Sequence, residues 1–261
     1  MKKILSSLAS IDSAMRLRCA IEDRLGLPRK TILVSSSSKA CAGHDVILRY
    51  GCGYGSLKVE PRWGNREFTR LCVDKEKTSD LLKKYTPVPE FMYASVPAIY
   101  PVLIRETLTG CQSEGIHLVN NEKEFAKIIK PGFYWTHYFK HDIEVRVNAV
   151  FLKDRIETRI YKKVPTDPNK TTTDFIPGLV GVEDSEWLLK DKKYYPKVLK
   201  VLDRIYDPIV KAGGIFVGVD MIYAPEIQDY VVLELNSGPV LTPPAADWLA
   251  GIFIADNKEI L

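Results

Sequence analysis

The stretch DYVVLELNSGPVLTPP, residues 229–244, places the strongest constraint on how this chain can fold. Its first half is an apolar run rich in β-branched residues, which is typical of a buried strand. Glu234 and Asn236 interrupt this run, and residues two apart on a strand project to the same face. Burying an ionised carboxylate costs free energy unless a partner compensates its charge. The sequence therefore requires a partner for Glu234.

The preceding predicted strand supplies a second carboxylate. Asp220 lies within FVGVDMIYA, and the short turn PEIQ joins this run to the next. Adjacent antiparallel strands would bring Asp220 close to Glu234 and Asn236. Carboxylate and amide oxygens are ligands that Mg²⁺ takes together with substrate phosphates. A magnesium site is one interpretation of this triplet and ordinary half-exposed strand residues are the other, and the triplet alone favours both equally.

The amino-acid composition indicates the class of protein to which the chain belongs. The chain has 261 residues, enough for one large domain or two to three smaller lobes. With 46% hydrophobic and 27% charged residues, it has the composition of a soluble globular protein. The net charge of +4 suits an anionic small substrate as well as nucleic acid. No basic run is interleaved with aromatic residues, which disfavours a nucleic-acid ligase.

The compartment is also indicated by the sequence. No apolar span is long enough for a membrane helix, so we expect no membrane partner. The N-terminal segment is interrupted by Asp12, Arg16 and Arg18, which is not typical of a signal peptide. The five cysteines lack C-x-x-C spacing, which indicates reduced thiols. We therefore expect a cytoplasmic protein.

Strand and helix patterns alternate along the chain and predict an α/β (α+β) protein. KKILSS, KTILVSS and HDVILRYG predict strands, and SAMRLRCAIEDRL between the first two predicts a helix. Further on, KEKTSDLLKKY, NNEKEFAKII and YYPKVLKVLDRIYDPIVK predict helices among several strand runs. VPTDPNKTTTDFIPG predicts a long loop.

The unit GVDMIYAPEIQDYVVLELNSGP resembles the metal-binding signature of ATP-grasp enzymes, an Asp followed by Glu-x-Asn and a small-residue turn with Pro. Other segments follow in that family's order. The segment that leads into the grasp is resembled by DKEKTSDLLKKYTPVPEF. The phosphate-binding strand and its glycine loop are resembled by YPVLIRETLTGCQSEGIHLVNNEKEF. The hinge that holds adenine and the strand that reaches the ribose are resembled by FYWTHYFKHDIEVRVNAVF. The resemblance covers residues 70–245 and is closest to amino-acid and peptide carboxylate–amine ligases related to ribosomal-protein glutamate ligases.

This resemblance implies an ATP-grasp fold in which two subdomains sandwich the nucleotide. It implies an N-terminal α/β lobe at residues 1–85 that precedes the grasp. The small subdomain with the phosphate loop would be residues 86–139, and the C-terminal subdomain with the metal site residues 140–261.

The resemblance also implies roles for individual residues. Arg105 stands where the family usually has a phosphate-binding lysine, and His137 stands where the hinge usually has glutamate. Glu144 matches the acid that binds the ribose hydroxyls, and Arg146 a basic residue that faces the acyl phosphate. The implied catalytic residues are Arg105 and Arg146. The implied nucleotide-binding residues are Lys75, Arg105, Gly110, Ser113, Gly115, His137, Tyr138, Phe139, Glu144, and Lys162 or Lys163. The implied metal ligands are Asp220, Glu234 and Asn236.

The implied activity is that of an enzyme, an ATP- and Mg²⁺-dependent carboxylate–amine ligase with Mn²⁺ as an alternative metal. A carboxylate would attack the γ-phosphate to give an acyl phosphate and ADP, and an amine would then displace phosphate to form an amide. The substrates would be an amino acid, a peptide or a protein tail. The acceptor would bind between the N-terminal lobe and the segment SGPVLTPPAADW that follows Asn236.

Two alternatives stay open at the level of sequence. The same fold supports small-molecule kinases that phosphorylate a hydroxyl, and it also supports non-catalytic ATP-binding modules. Because Arg105 and His137 depart from the family pattern, a non-catalytic module stays an alternative. The intact Asp–Glu-x-Asn triplet argues against it.

Overall fold

The computed structural model describes residues 2–37, 45–53, 55, 57, 59–93, 95–107, 115–141, 143–165, 180–184, 191 and 193–259. Within these ranges the chain forms three β-sheets and six α-helices, which confirms the predicted mixed α/β class. No helix among these residues is both long and apolar enough to cross a membrane. Among the described cysteines, Cys19 and Cys72 are free thiols.

The first sheet is parallel and has the strand order β2–β1–β3. Its elements are β1 (Lys2–Ser6), α1 (Ile11–Arg24), β2 (Leu33–Ser35) and β3 (Asp45–Tyr50). Ala14, Leu17 and Ile21 of α1 are fully buried because their three- and four-residue spacing places them on one helix face. These elements form an α/β lobe, as the predicted fold class has it, and the domain boundary at residue 85 stays a prediction.

The second sheet is antiparallel, small, and ordered β5–β4–β6. Its elements are β4 (Val102–Arg105), β5 (Ile116–Val119), α4 (Glu122–Ile128) and β6 (Tyr134–His137). Val102 and Ile104 are buried in a core with Phe125 of α4. Because side chains alternate along a strand, Arg105 projects from the opposite face of this sheet.

The third sheet is antiparallel and five-stranded, with the order β11–β10–β7–β8–β9. Its elements are β7 (Ile143–Phe151), β8 (Ile156–Pro165), β9 (Val180–Asp184), α5 (Tyr195–Lys211), β10 (Phe216–Ala224) and β11 (Asp229–Asn236). The odd-numbered residues of β7, such as Val145 and Val147, are buried in a core with α5. The even-numbered residues Glu144, Arg146 and Asn148 project from the other face, which we call the polar face.

Three further helices pack on these sheets. They are α2 (Arg66–Val73), α3 (Lys75–Leu82) and α6 (Pro243–Asp256). Phe68, Cys72 and Leu82, from α2 and α3, lie in the core of the large sheet, so part of the predicted segment 1–85 covers that sheet. Helix α6 packs against α1 of the N-terminal lobe.

Candidate active site

The predicted triplet lies on the hairpin of β10 and β11. Asp220 pairs directly with Glu234, and Gly218 pairs with Asn236. The Nδ2 atom of Asn236 lies 3.3 Å from Oε1 of Glu234. Asp220 is 1% exposed, whereas Glu234 is half-buried. The antiparallel pairing predicted from the short turn is confirmed, and its role as a metal site stays a prediction.

Basic side chains compensate both carboxylates. Arg146 donates from Nε and from a terminal nitrogen to the two carboxylate oxygens of Asp220, each at 2.6 Å. The Nζ atom of Lys163 lies 3.0 Å from Asp220, and that of Lys75 lies 3.2 Å from Glu234. These cations are the partners that the buried acids required.

The electrostatic effect of this pairing is large at Asp220. Burial alone would raise the pKa of Asp220, but Lys163 and Arg146 outweigh it and hold that pKa well below its usual range. The pKa of Lys163 shifts in the opposite direction. Burial lowers this pKa, but the negative charges of Asp220 and Glu144 raise it above the ordinary value. Asp220 and Lys163 are therefore both charged at neutral pH.

Strand register separates the two candidate lysines. Lys162 pairs with Val145, whose side chain enters the core under α5, so Lys162 lies on the face away from Arg146. Lys163 lies on the polar face, where its Nζ atom is 2.6 Å from the carboxylate of Glu144. Of the two lysines, only Lys163 joins the predicted site residues.

Arg105 approaches the polar face from the small sheet. Burial lowers the pKa of Arg105, and the opposing effects of Tyr134 and Glu234 do not cancel it. Its Nε atom is buried and has no hydrogen-bond partner among the described residues. A buried cation that lacks a full set of acceptors favours an anionic ligand. The small and large sheets thus contribute positive charge to one site.

The predicted hinge follows β6. The backbone N–H of Tyr138 donates to the carbonyl of Pro101 at 3.3 Å, which ties the hinge to the small sheet. The ring of Phe139 packs on an apolar cluster of the β10–β11 hairpin formed by Ile222, Ala224, Val231 and Leu233. His137 is exposed, and its ring centroid lies 5.1 Å from that of Phe139. The hinge therefore adjoins an apolar surface of the large sheet.

The predicted phosphate loop is described only where it closes. Gly110 and Ser113 lie outside the described residues. Gly115 has a φ of +64°, and its carbonyl accepts a hydrogen bond from the backbone N–H of Glu106 at 3.0 Å. A Cβ atom at Gly115 would lie 3.0 Å from the side chain of Glu106, so this position favours glycine on both counts.

Comparison with known proteins identifies the fold. No protein-family model and no curated protein matches the sequence. Among solved structures, the D-Ala:D-Ser ligase VanG from Enterococcus faecalis is 14% identical, with a TM-score of 0.59 over 97% of this chain and 99% of that one. A carboxyaminoimidazole ribonucleotide synthase from Aspergillus clavatus, complexed with ATP, is 15% identical, with a TM-score of 0.59 over 91% of this chain and 70% of that one.

A third match is described as the ATP-grasp ligase PsnB, complexed with a minimal precursor. It is 12% identical, with a TM-score of 0.61 over 98% of this chain and 99% of that one. The chain has the ATP-grasp fold. The fold expected from the Asp–Glu-x-Asn unit is thereby confirmed, although the sequence identities are only 12–15%.

Cations and acids of the described residues meet on the polar face. Its acids are Glu144, Asp220 and Glu234, and the cations that converge on them are Lys75, Arg105, Arg146 and Lys163. Among these seven described side chains, the cations outnumber the acids by one. Such a site favours a polyphosphate over a neutral ligand.

The predicted metal ligands fit a hard divalent cation. Each carboxylate oxygen of Asp220 and Glu234 has lone pairs beyond the one that its cation engages, and Asn236 adds an amide oxygen. In the described part of the chain, no group of three or more His, Cys, Asp or Glu is placed to hold a metal ion. Mg²⁺ usually takes one or two carboxylates together with substrate phosphates. The donor set therefore fits an ion that arrives with a nucleotide.

The N-terminal lobe clamps the segment 237–241 that follows the triplet. The hydroxyl groups of Ser10 and Tyr50 donate to backbone carbonyls of this segment at 3.1 and 2.5 Å. The N–H of Gly51 donates to a third carbonyl at 3.1 Å, and the Ser13 hydroxyl accepts from the N–H of Leu241 at 3.0 Å. Sequence reasoning missed these residues, because no local pattern relates them to a segment so far along the chain.

A groove of about 460 Å³ lies where the acceptor site was predicted, between α1 and the start of α6. It is lined by Asp12, Met15, Arg16, Cys19, Ala20, Asp23, Pro243, Ala246 and Asp247. The structure therefore provides a concave surface between the N-terminal lobe and the segment SGPVLTPPAADW. Its use by an acceptor stays a prediction.

Replacing the two adjacent lysines one at a time tests the assignment of the polar face. We expect Lys163→Met to lower ATP affinity about tenfold or more, because charge-assisted hydrogen bonds contribute about 1.5–3 kcal/mol each. Lys162→Met is the matched control and is expected to leave the affinity nearly unchanged. The measurement is ATP titration calorimetry on both variants after circular dichroism has confirmed their folding. Equal losses in the two variants would contradict the assignment.

Proposed function

We propose that the chain is an ATP- and Mg²⁺-dependent carboxylate–amine ligase that forms an amide through an acyl phosphate. The observation that carries the proposal is that Arg105 of the small sheet and Arg146 of the large sheet both interact electrostatically with Glu234, and that Lys163 lies beside Arg146 on Asp220. The solved structures that share its fold support the same reaction class, since those described above include two ligases and a synthase complexed with ATP.

In this proposal the nucleotide lies between residues 86–139 and 140–261, with residues 1–85 preceding the grasp. The adenine ring would lie against Phe139 and its apolar cluster, where burial of a flat ring is favourable. The phosphates would extend from there across the polar face toward Arg146. Arg105 would donate hydrogen bonds to these phosphates from the small sheet. The phosphate oxygens would thereby supply the acceptor that its Nε atom lacks among the described residues.

Asp220, Glu234 and Asn236 would hold Mg²⁺. When bound, such an ion neutralises phosphate charge and fixes the orientation of the terminal phosphates. Arg146 and Asp220 would contribute to the orientation of the phosphates independently of the metal ion. Asp220 holds the planar guanidinium of Arg146 through two parallel hydrogen bonds, so Arg146 meets its ligand in one fixed geometry.

The proposed chemistry is a transfer to a carboxylate followed by an acyl substitution. A carboxylate oxygen of the substrate attacks the γ-phosphorus of ATP in line, and the bond to the β-phosphate oxygen breaks to release ADP. An amine then attacks the acyl carbon, and inorganic phosphate leaves with the electron pair of its bond. Arg146 and Arg105 stabilise the negative charge that develops on the transferring group, without reorganising at the moment of reaction.

Product analysis tests this proposal. We expect ADP as the only nucleotide product when amino acids and peptides are screened as carboxylate substrates by ADP release. Hydroxylamine should intercept the acyl phosphate as a hydroxamate even without the natural amine, and mass spectrometry would identify that product. AMP as the main product would overturn the mechanism. ADP without any hydroxamate or amide would instead indicate a kinase, and tight ATP binding without turnover a non-catalytic module.

A further inference from the structure

Asn148, at the centre of β7, is buried in a way that packing does not explain. Its side chain is 0% exposed, and neither Oδ1 nor Nδ2 has a hydrogen-bond partner among the described residues. A buried carboxamide that leaves both its donor and its acceptor unpaired disfavours the folded state. Leucine would have a similar size without that cost, so the amide points to a ligand that pairs with it.

The position of Asn148 follows from the register of the large sheet. Along the polar face of β7, Glu144 pairs with Ile222 of the apolar cluster, and Arg146 pairs with Asp220. Asn148 lies two residues further on, about 7 Å beyond Arg146 on the side away from the hinge. A substrate that reacts with the terminal phosphate would approach Arg146 from this side.

Asn148 also lies where the large sheet meets the clamped segment. Its partner on β10 is Gly218, where a Cβ atom would lie 2.9 Å from the side chain of Pro239. Its partner on β8 is Arg159, which donates to the carbonyl of Pro244 at 3.4 Å. Asn148 therefore combines a donor and an acceptor with the positive charge of the neighbouring guanidinium.

We propose that Asn148 is a specificity-determining residue that binds an α-amino acid as the second substrate, an inference that rests on the proposed function. Its Nδ2 atom donates to a carboxylate oxygen of the amino acid, and its Oδ1 atom accepts from the α-amino group. An α-amino acid carries both groups on one carbon, which matches the short separation of the two amide atoms. Arg159 adds attraction for the carboxylate.

The test compares Asn148→Leu with the wild type in the full chain. Without ligand, we expect the melting temperature of the variant to equal or exceed that of the wild type, because an unpaired buried amide is removed. ATP affinity is expected to change by less than about twofold. The KM for the amino acid that acts as amine is expected to rise about tenfold or more, as when one well-placed hydrogen-bonding group is lost.

Thr86→Val is the matched control. The Thr86 hydroxyl is also buried without a partner among the described residues, and it lies outside the proposed site. This variant should share the stability of Asn148→Leu and keep the wild-type KM. A parallel melting assay uses the common L- and D-amino acids and diglycine as probes in the presence of a non-hydrolysable ATP analogue. We expect at least one amino acid to stabilise the wild type and Thr86→Val but not Asn148→Leu.

The outcomes separate the inference from the proposed function. Turnover in the wild type with an unchanged KM in Asn148→Leu would overturn the inference and leave the ligase function standing. An amino-acid-dependent melting shift that Asn148→Leu abolishes, without any turnover, would support the inference and contradict the ligase. If no probe shifts the melting temperature of the wild type, the inference is wrong. A clear loss of stability in Asn148→Leu would also oppose it, because that would indicate a structural role.

Discussion

Asp220→Asn is expected to lower the free energy of unfolding by about 3–5 kcal/mol, because it removes the buried carboxylate with which both Arg146 and Lys163 pair. The variant is nearly isosteric, so the loss reports charge and not volume. Arg146 and Lys163 both depend on this carboxylate. ATP turnover should also fall to near background, since Arg146 loses the partner that orients it. Urea unfolding and ADP release measure the two effects.

Asp247→Asn is the matched control for burial. Asp247 also pairs with an arginine through two hydrogen bonds, of 2.7 and 2.8 Å to Arg24, but both side chains are exposed. Exposed pairs of this kind contribute at most about 1 kcal/mol. The contrast between the two variants isolates the contribution of burial. Similar losses of stability in both would contradict the account of Asp220.

The effect of Asp220→Asn should depend on pH. The pKa of Asp220 is depressed in the folded state, so its contribution is fully present above the unfolded-state pKa of about 3.9. It is lost as pH falls below that value toward the lower folded-state pKa. The stability difference between wild type and variant should thus be constant from about pH 5 to 8 and shrink below about pH 4. Unfolding curves at pH 7 and pH 3 check the sign.

Arg105→Met is expected to weaken ATP binding about ten- to hundredfold, the range that corresponds to about 1.5–3 kcal/mol for a hydrogen bond with a charged group. Without ATP the variant should be at least as stable as the wild type, because methionine removes a buried charge that lacks a full set of acceptors. Arg105→Lys keeps the charge and should retain most of the affinity. Titration calorimetry on the three proteins gives the comparison. Equal affinities would place Arg105 outside the nucleotide site.

The sequence was most informative where contacts are local. The pairing of Asp220 with Glu234 follows from two apolar runs and a short turn, and the structure confirms it. The ion pairs of Arg146 with Asp220 and of Lys75 with Glu234 join distant segments, so no local spacing could reveal them. The choice of Lys163 over Lys162 likewise required the register of β8 against β7.

Two helices were missed for different physical reasons. Helix α6 has apolar residues on nearly every side, so its sequence lacks the periodicity of a surface helix. Helix α2 has an amphipathic pattern, and Asn65 caps it by accepting from the N–H groups of Glu67 and Phe68. That capping signal was available in the sequence and could have predicted the helix.

The clamp between the N-terminal lobe and the segment 237–241 has a consequence for biosynthesis. Ser13 and Leu241, which join across it, are 228 residues apart in sequence. While the chain emerges from the ribosome, Leu17 and Ile21 of α1 lack the partners that α6 later provides. The apolar face of α1 therefore stays without this part of its packing until residues 243–256 have been translated, which leaves it open to non-native association in the interval.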